Sequence, residues 1–301
     1  MRIALLGAGL IGGSIARALR AGPGPAAGGP SLTVVAWTPS GAGPRAAVQA
    51  GVVDEVARDP ADAVGGAELI VLAGPPLACL DLIDELAGPL RHALDVSALV
   101  TDVASTKARI VERAAGVGLP FVGGHPMAGL ETSGFGAARA DLFAGRSWIV
   151  VPGPSSPSGG VERVVALALA CGARPMTMSA ADHDAAVAGI SHLPLVVAAA
   201  LVEAVAGRAG EPALPGWPVA AALAAGGWES MTRLARGDVA MAAGIAATNG
   251  PAIAARLREL REALDRWLEV LDRADPEADR LAGWFAAARN RLEADVPDGG
   301  R

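Results

Sequence analysis

Residues 2–20, RIALLGAGLIGGSIARALR, decide the fold. A short apolar run leads directly into a glycine-rich turn, and the residues after the turn carry apolar side chains at helical spacing. The turn matches G-x-G-x-x-G in the strand–turn–helix context that this motif requires. Gly7 suits the tight turn, Gly9 leaves room for a pyrophosphate, and Gly12 permits close packing of the helix on the strand. We therefore predict that a dinucleotide binds at Gly7, Ala8, Gly9, Leu10, Ile11 and Gly12.

The strand–helix alternation continues to about residue 180. Further strands are predicted over 32–37, 68–73, 99–103, 121–122, 147–151 and 176–178. The pattern then changes to helices alone, beginning with one long apolar helix over 182–206 and including another over 219–235. We predict an α/β protein: an N-terminal Rossmann-type doubly wound parallel sheet over residues 1–180, followed by an all-helical domain over residues 181–301. Because a nearly all-apolar helix must be buried, this second domain is expected to form the dimer contacts.

Composition narrows the class of protein. Of 301 residues, 52% are hydrophobic, which suffices for a large core, and the net charge of −6 offers no basic face for nucleic acid. The two cysteines are far apart, which indicates reduced thiols and no metal site. The most apolar stretch, 185–202, contains a histidine and a proline, so a buried helix is favoured over a membrane span. We expect a cytoplasmic protein that binds neither nucleic acid nor a membrane.

The end of the second predicted strand bears on the choice of cofactor. This strand follows a Gly/Pro-rich loop over 21–31, and a carboxylate just beyond it would bind the ribose 2′-hydroxyl of NAD. Thr38 stands there instead, with Arg45 a few residues on, and these groups could hold the extra phosphate of NADP. Because Thr38 could equally just end the strand, NAD and NADP both stay open. The other cofactor contacts predicted at this edge of the sheet are Ala73, Pro75 and Asp102.

Three more polar side chains follow predicted strands. Ser105 and Lys107, the only lysine in the chain, come after strand 99–103, and His125 comes after strand 121–122. The Gly123-Gly124 pair before His125 is expected to let a ligand approach the backbone. Each residue has a structural alternative, such as a helix N-cap for Ser105 or a hydrogen-bonded surface position for the histidine.

Four motifs together resemble the prephenate/arogenate dehydrogenase family. They are GAGLIGGS at 7–14, TDVASTK at 101–107, FVGGHPMAG at 121–129 and ISHLP at 190–194. The resemblance spans nearly the whole chain and implies a Rossmann domain followed by a helical domain that forms a homodimer. It also implies oxidative decarboxylation of a cyclohexadienol, prephenate or arogenate, in tyrosine biosynthesis, with NAD or NADP as the cofactor.

The resemblance implies roles for individual residues as well. His125 bonds the ring hydroxyl and takes its proton while hydride leaves for the nicotinamide, which suits the usual histidine pKa of about 6.5. Ser105 supports His125, and the two-pronged guanidinium of Arg233 clamps a carboxylate of the substrate. The predicted substrate-binding residues are His192, Arg233, Lys107 and Glu229.

Several alternatives remain open at this point. Glu229 replaces a basic residue of the family pattern, so it could pair with the amine of arogenate or of an analogue such as 4-amino-4-deoxyprephenate, or simply face solvent. A related reductase with the same two domains is a second possibility, but such enzymes usually rely on a lysine that this helical domain lacks. A dinucleotide-sensing binding protein is a third, although it would need neither His125 nor Ser105.

Overall fold

An eight-stranded sheet forms the first part of the molecule in the computed structural model, which describes residues 1–22, 31–208 and 210–294. The loop predicted over 21–31 therefore lies mostly outside the described residues. The strands are β1 (Arg2–Leu6), β2 (Thr33–Trp37), β3 (Glu55–Val56), β4 (Leu69–Leu72), β5 (Leu99–Asp102), β6 (Phe121–Pro126), β7 (Ser147–Val151) and β8 (Arg174–Thr177). Their order, β3-β2-β1-β4-β5-β6-β7-β8, reverses direction between β1 and β4, as in a doubly wound sheet.

β7 departs from the all-parallel sheet that the sequence predicted. It runs antiparallel to β6, whereas the other neighbouring strands are parallel. The connection over 127–146 contains only a short 3-10 turn, Phe135–Ala137. A parallel crossover usually contains an α-helix, and this connection has none, which fits the antiparallel return of β7 beside β6.

Helices cover both faces of the sheet. They are α1 (Leu10–Ala21), α2 (Ala42–Gln49), α3 (Pro60–Val64), α4 (Pro76–Ala87), α5 (Ala108–Gly116) and α6 (Gly160–Ala170). Along β1, Ile3 and Leu5 belong to one buried apolar cluster, while Ala4 and Leu6 belong to another. Because successive side chains of a strand point to opposite faces, each face of the sheet has its own core.

The helices that follow are more broken than the sequence predicted. They are α7 (Ala180–Val187), α8 (Leu193–Ala206), α9 (Trp217–Ala222), α10 (Gly226–Thr232), α11 (Val239–Thr248), α12 (Gly250–Leu271) and α13 (Ala278–Ala294). A π-helical turn, Ala188–His192, interrupts the single helix predicted over 182–206. Pro194 lies in the first turn of α8 and has no N–H to continue regular hydrogen bonding, so the preceding turn widens. The helix predicted over 219–235 is likewise interrupted, between α9 and α10.

The chain forms two compact units, Met1–Ile253 and Ala254–Arg301. Helices α7 to α11 belong to the same unit as the sheet, so the domain boundary predicted at residue 180 stays a prediction. Within the described ranges, one stretch, Ala180–Ala206, is long and apolar enough to cross a membrane by length and composition alone. Core helices of soluble proteins pass the same test, and this stretch carries three buried polar side chains described below.

Candidate active site

The glycine loop lies between β1 and α1, beside the end of β4. Gly7 has a φ angle of +128°, and a side chain there would collide with the carbonyl oxygen of Ala73. A side chain at Gly12 would collide with the carbonyl oxygen of Gly7. No atom lies within 4 Å of the position that a Cβ atom would take at Gly9. The loop is therefore tightly packed on the protein side and open at Gly9, where a pyrophosphate would approach.

The start of α1 also fits a phosphate. Its N-cap, Gly9, has no side chain to bond the first N–H groups of the helix, which are therefore available to an anion. These observations on the loop and the helix together fit a dinucleotide cofactor, which accepts a hydride when bound. Pro75, another predicted contact, is partly buried just before α4.

The turn after β2 contains the residues that bear on the choice between NAD and NADP. The hydroxyl of Thr38 accepts a hydrogen bond from the N–H of Gly41 at 3.1 Å, so it stabilises the turn before α2. Arg45 donates to the carbonyl oxygen of Ser40 at 2.9 Å, and its guanidinium lies against Gly41. A cation and two hydroxyls thus share the turn where an NAD enzyme usually places a carboxylate.

His125 is the first member of a chain of three buried side chains. It lies in β6 and is 8% exposed, and its Nδ1 atom is 2.8 Å from Nε2 of His183 on α7. Nδ1 of His183 is in turn 2.8 Å from Oδ1 of Asp184. The Asp184 carboxylate also accepts the backbone N–H groups of Lys107 at 2.7 Å and Ala108 at 2.9 Å. The chain therefore connects β6, α7 and the beginning of α5.

His192 reaches the same region from the π-helical turn. It is fully buried, and its Nδ1 atom lies 3.1 Å from the amide nitrogen of Asn249, which also donates to the carbonyl oxygen of Asp184 at 2.9 Å. Because an amide nitrogen only donates, Nδ1 of His192 must accept, and a neutral ring then carries its proton on Nε2. His192 can therefore donate a hydrogen bond through Nε2.

Burial and neighbouring charges set the ionisation of these groups. Burial lowers the pKa of His125 well below 6.5, and His183, Lys107 and His192 lower it further. Burial lowers the pKa of His192 to about 4, although Asp184 opposes this shift. Burial raises the pKa of Asp184, but hydrogen bonds from His183 and two backbone N–H groups outweigh it and hold that pKa below its usual value. At neutral pH the site therefore holds a neutral His125, able to accept a proton, and an ionised Asp184.

Lys107 and Asp102 lie beneath this site instead of facing a ligand. Both side chains are 0% exposed and form an ion pair with each other. Asp102 also accepts the N–H groups of Ala104 at 3.0 Å and Gly124 at 3.1 Å. Neither side chain has accessible surface, so the structure offers no support for the predicted roles of Lys107 in substrate binding and Asp102 in cofactor binding. The pair instead joins the ends of β5, β6 and α5.

The glycine pair before His125 has a packing role, and the predicted approach of a ligand to its backbone stays a prediction. A Cβ atom at Gly124 would lie 2.6 Å from the carbonyl oxygen of Asp102, and one at Gly123 would lie 3.2 Å from Cδ of Lys107. These glycines let β6 pack directly on the buried ion pair. This packing positions His125 at the end of β6.

Ser105 is partly buried and lies in the turn between β5 and α5. Its hydroxyl makes no hydrogen bond to any described residue, so its support of His125 stays a prediction. The alternative of an N-cap is wrong, because Lys107 occupies the N-cap position and has no side-chain cap bond. Asp184 satisfies the first N–H groups of α5 instead.

Arg233 and Glu229 occupy different environments. Arg233 immediately follows α10 and forms an ion pair with Glu131, in the connection that follows His125. Glu229 lies in the first turn of α10, is exposed, and has no ion pair within the part of the chain that the structure describes. The structure thus brings Arg233 to the segment beside the site, but shows no partner for Glu229.

Two family models match the chain over most of its length. "Prephenate dehydrogenase, nucleotide-binding domain" matches residues 15–177, and "Prephenate dehydrogenase, dimerization domain" matches residues 179–287. The chain belongs to the prephenate dehydrogenase family. It is therefore an NAD(P)-dependent oxidoreductase with a small-molecule substrate, and the resemblance found in the sequence is confirmed.

Individual members of the family are similar along almost the whole chain. Prephenate dehydrogenase from Bacillus subtilis is 33% identical over 293 residues, which are 96% of this chain and 74% of that protein. Prephenate dehydrogenase from A. aeolicus, in complex with hydroxyphenyl propionate and NAD⁺, has a TM-score of 0.81 at 25% identity, with 98% of each chain covered. Synechocystis arogenate dehydrogenase has a TM-score of 0.72 at 29% identity, covering 97% of this chain and all of that one.

The sequence interpretation of this family member missed His183, Asp184, Asn249 and Glu131. One signal for the first two was available: an adjacent histidine and aspartate lie near the start of a largely apolar stretch, where buried polar side chains need a partner. Asn249, just after α11, and Glu131, in a long connection, follow no periodic pattern. Only the folded chain shows what they contact.

Proposed function

We propose that this dehydrogenase oxidises and decarboxylates prephenate, with His125 as the base for the ring hydroxyl. The observation that carries the proposal is a neutral, buried His125 at the end of the cofactor-binding sheet, bonded through Nδ1 to His183. This leaves Nε2 to accept the hydroxyl proton while hydride leaves for the nicotinamide. Loss of the ring carboxylate follows readily because it produces an aromatic ring. The name of the Bacillus subtilis relative and the complex of the A. aeolicus relative support this reaction.

The other substrate contacts are assigned by their chemistry. His192 donates a hydrogen bond to the substrate through Nε2, since Asn249 occupies its Nδ1 atom. Ser105 supports His125 through a hydrogen bond. Arg233 exchanges its ion-pair partner Glu131 for a carboxylate of the substrate. Lys107 contributes by holding β5 and β6 together, without touching the substrate.

Arogenate is the second candidate substrate. It is favoured by the position of Glu131, whose carboxylate pairs with Arg233. If Arg233 binds the side-chain carboxylate of the substrate, Glu131 would lie close to the ammonium group that arogenate carries on that side chain. The exposed Glu229, on the helix that precedes Arg233, could serve the same purpose. Synechocystis arogenate dehydrogenase is a relative with that activity in its name.

For the cofactor, we propose that NADP is used at least as well as NAD. The segment between β2 and α2 contains no carboxylate, while Arg45 is held against the turn by the carbonyl oxygen of Ser40. A guanidinium there would bind the 2′-phosphate that distinguishes NADP.

We also propose a cytoplasmic homodimer formed through the helices after residue 180. Ala198 is the only residue of α8 that is buried within one chain, although the helix is almost wholly apolar. Val239 and Leu223, on neighbouring helices or just after them, are 82% and 76% exposed. A second copy of the chain would cover this surface, which multi-angle light scattering would report as twice the mass of one chain.

A steady-state assay of prephenate and arogenate, each with NAD and NADP, tests the proposal. We expect turnover of both cofactors with prephenate preferred, and loss of turnover in His125→Asn. A clear preference for arogenate would establish the second candidate. No turnover of either substrate, despite cofactor binding, would overturn the proposed reaction and favour a dinucleotide-sensing protein.

A further inference from the structure

We propose that Asp184 and His183 are positioning residues that form a proton relay behind His125. They keep the proton of resting His125 on Nδ1, and they receive that proton when Nε2 takes another from the substrate. This inference rests on the proposed function of His125 as the base. It goes further by assigning roles to two residues that no sequence motif suggested.

The direction of the relay follows from its carboxylate end. Asp184 accepts two backbone N–H groups, at 2.7 and 2.9 Å, and the hydrogen bonds that it receives favour its ionised form. An ionised carboxylate only accepts, so Nδ1 of His183, 2.8 Å away, must carry a proton. Nε2 of a neutral His183 is then an unprotonated acceptor.

The tautomer of His125 follows from its contact with His183. Its Nδ1 atom lies 2.8 Å from Nε2 of His183, so Nδ1 of His125 must donate if that nitrogen accepts. A neutral His125 with its proton on Nδ1 has a lone pair on Nε2. The Asp184–His183 pair therefore determines that the nitrogen remaining for the substrate is a base and not a donor.

The proton transfer is balanced within the site. The O–H bond of the substrate breaks and an N–H bond forms at Nε2 of His125, while the hydride leaves for the nicotinamide. The Nδ1–H bond of His125 breaks and an N–H bond forms at Nε2 of His183. The resulting positive charge lies on His183, in direct contact with the Asp184 carboxylate, and no longer on His125, whose pKa is lowered by burial and by its basic neighbours.

The surroundings of His125 make such a relay useful. The basic groups that face it are His183 from α7, Lys107 from the turn before α5 and His192 from the π-helical turn, and each, when protonated, disfavours a positive charge on the His125 ring. Lys107 is already paired with Asp102. Asp184 is the carboxylate that lies next to the partner of His125, so it is the group that can stabilise the transferred proton.

Imidazole ¹⁵N NMR tests the tautomer without any catalytic assay. The chain has only four histidines, and the fourth, His92, is exposed and supplies a reference signal from outside the site. At pH 7.5 we expect His125 to carry its proton on Nδ1, and we expect Asp184→Asn to give a mixture of tautomers. A resting His125 that carries its proton on Nε2 would overturn the proposal.

Kinetics test the relay itself. His183→Gln keeps an acceptor near the position of Nε2 but cannot take up a proton, so we expect kcat to fall on the order of 10²-fold or more with little change in KM. Asp184→Asn should also lower kcat, because it removes the group that fixes the tautomer. Matched His92→Gln, at an exposed site outside this cluster, should leave kcat unchanged.

The pH profiles separate a relay from a purely structural role. Removal of the Asp184 charge should move the acidic limb of kcat/KM to lower pH, because a positive charge on the His125–His183 pair then lacks the carboxylate that stabilises it. Removal of His183 should move it to higher pH, because a neighbour that lowers the pKa of His125 is lost while the carboxylate remains. Wild-type kcat and an unshifted limb in both variants would overturn the relay.

Failure of the relay and failure of the proposed function give different results. If the wild type turns over a substrate but both variants behave like it, only the relay is wrong. If the wild type turns over neither prephenate nor arogenate, the proposed function is wrong, and the NMR measurement still decides the tautomer. Because Asp184 also satisfies the first N–H groups of α5, Asp184→Asn could unfold the protein, in which case His183→Gln decides.

Discussion

Nδ1 of His125 and Nε2 of His183 are 2.8 Å apart, so one ring nitrogen of His125 is engaged by the protein and Nε2 is left for chemistry. We therefore expect turnover to depend on the base at Nε2 of His125. His125→Asn can retain a donor near the position of Nδ1 but supplies no base. We expect kcat to fall by roughly 10²–10⁴-fold with prephenate, while the cofactor dissociation constant stays unchanged. Stopped-flow turnover and a fluorescence titration with reduced cofactor measure the two quantities, and a rate within a few-fold of wild type would remove His125 from the role of base.

The pH dependence of turnover should differ from that of an ordinary histidine. A free imidazole would make kcat/KM fall as pH drops through roughly 6–7. Burial lowers the pKa of His125 well below 6.5, so the base stays neutral to lower pH and the acidic limb should lie below pH 6.5. A buffer-matched kcat/KM profile from pH 5 to 8 measures the position of this limb. A half-maximal rate near pH 7 would show that burial does not set the pKa of His125.

Lys107→Met should destabilise the fold more than it weakens substrate binding. The substitution leaves the fully buried Asp102 without its cationic partner, which typically costs about 3–5 kcal/mol of unfolding free energy. The double variant Lys107→Met/Asp102→Asn should recover part of that loss, because no unpaired charge remains. Urea unfolding followed by circular dichroism measures the free energies. A stable Lys107→Met protein with a greatly raised KM would restore the substrate-binding role first predicted for this lysine.

Glu131→Gln should distinguish the two candidate substrates. The wild-type carboxylate competes with the substrate for Arg233, so its removal should lower KM for prephenate, by at most about fivefold because the ion pair is exposed. For arogenate the same change removes a partner for the ammonium group and should raise KM. Parallel KM measurements on both substrates are needed, with Glu85→Gln as the matched control at an exposed carboxylate of α4. Equal shifts of KM for both substrates would show that Glu131 does not distinguish the side chain of prephenate from that of arogenate.

Arg45→Gln should act on NADP more than on NAD. A guanidinium–phosphate contact is worth about 1.5–3 kcal/mol, so kcat/KM for NADP should fall by roughly tenfold to a hundredfold, whereas that for NAD should change little. Arg58→Gln, at an exposed arginine that pairs with Asp62, is a suitable control. An equal effect on the two cofactors would remove Arg45 from recognition of the 2′-phosphate.

The outline of the fold could be predicted because its signals are local. The glycine loop between an apolar run and an amphipathic helix placed β1 and α1 correctly, and apolar runs located the main strands. The antiparallel direction of β7 could not be read in this way, since it depends on the path of the connection over 127–146. The π-helical turn before Pro194 could not be predicted either. It is a change of hydrogen bonding within a stretch whose apolar pattern indicates one continuous helix.

For the site, the sequence by itself determined which residue types were present. It also predicted that Ser105 and His125 lie at one sheet edge, because strands that alternate with helices run parallel. The tertiary structure decided what each polar side chain contacts. It paired Lys107 with Asp102 beneath the sheet edge, and it brought His183 and Asp184, some 60 residues further along the chain, behind His125. Buried polar groups have no water to bond, so each needs a hydrogen-bond partner within the protein. Where that partner is distant in sequence, only the folded chain brings the two together.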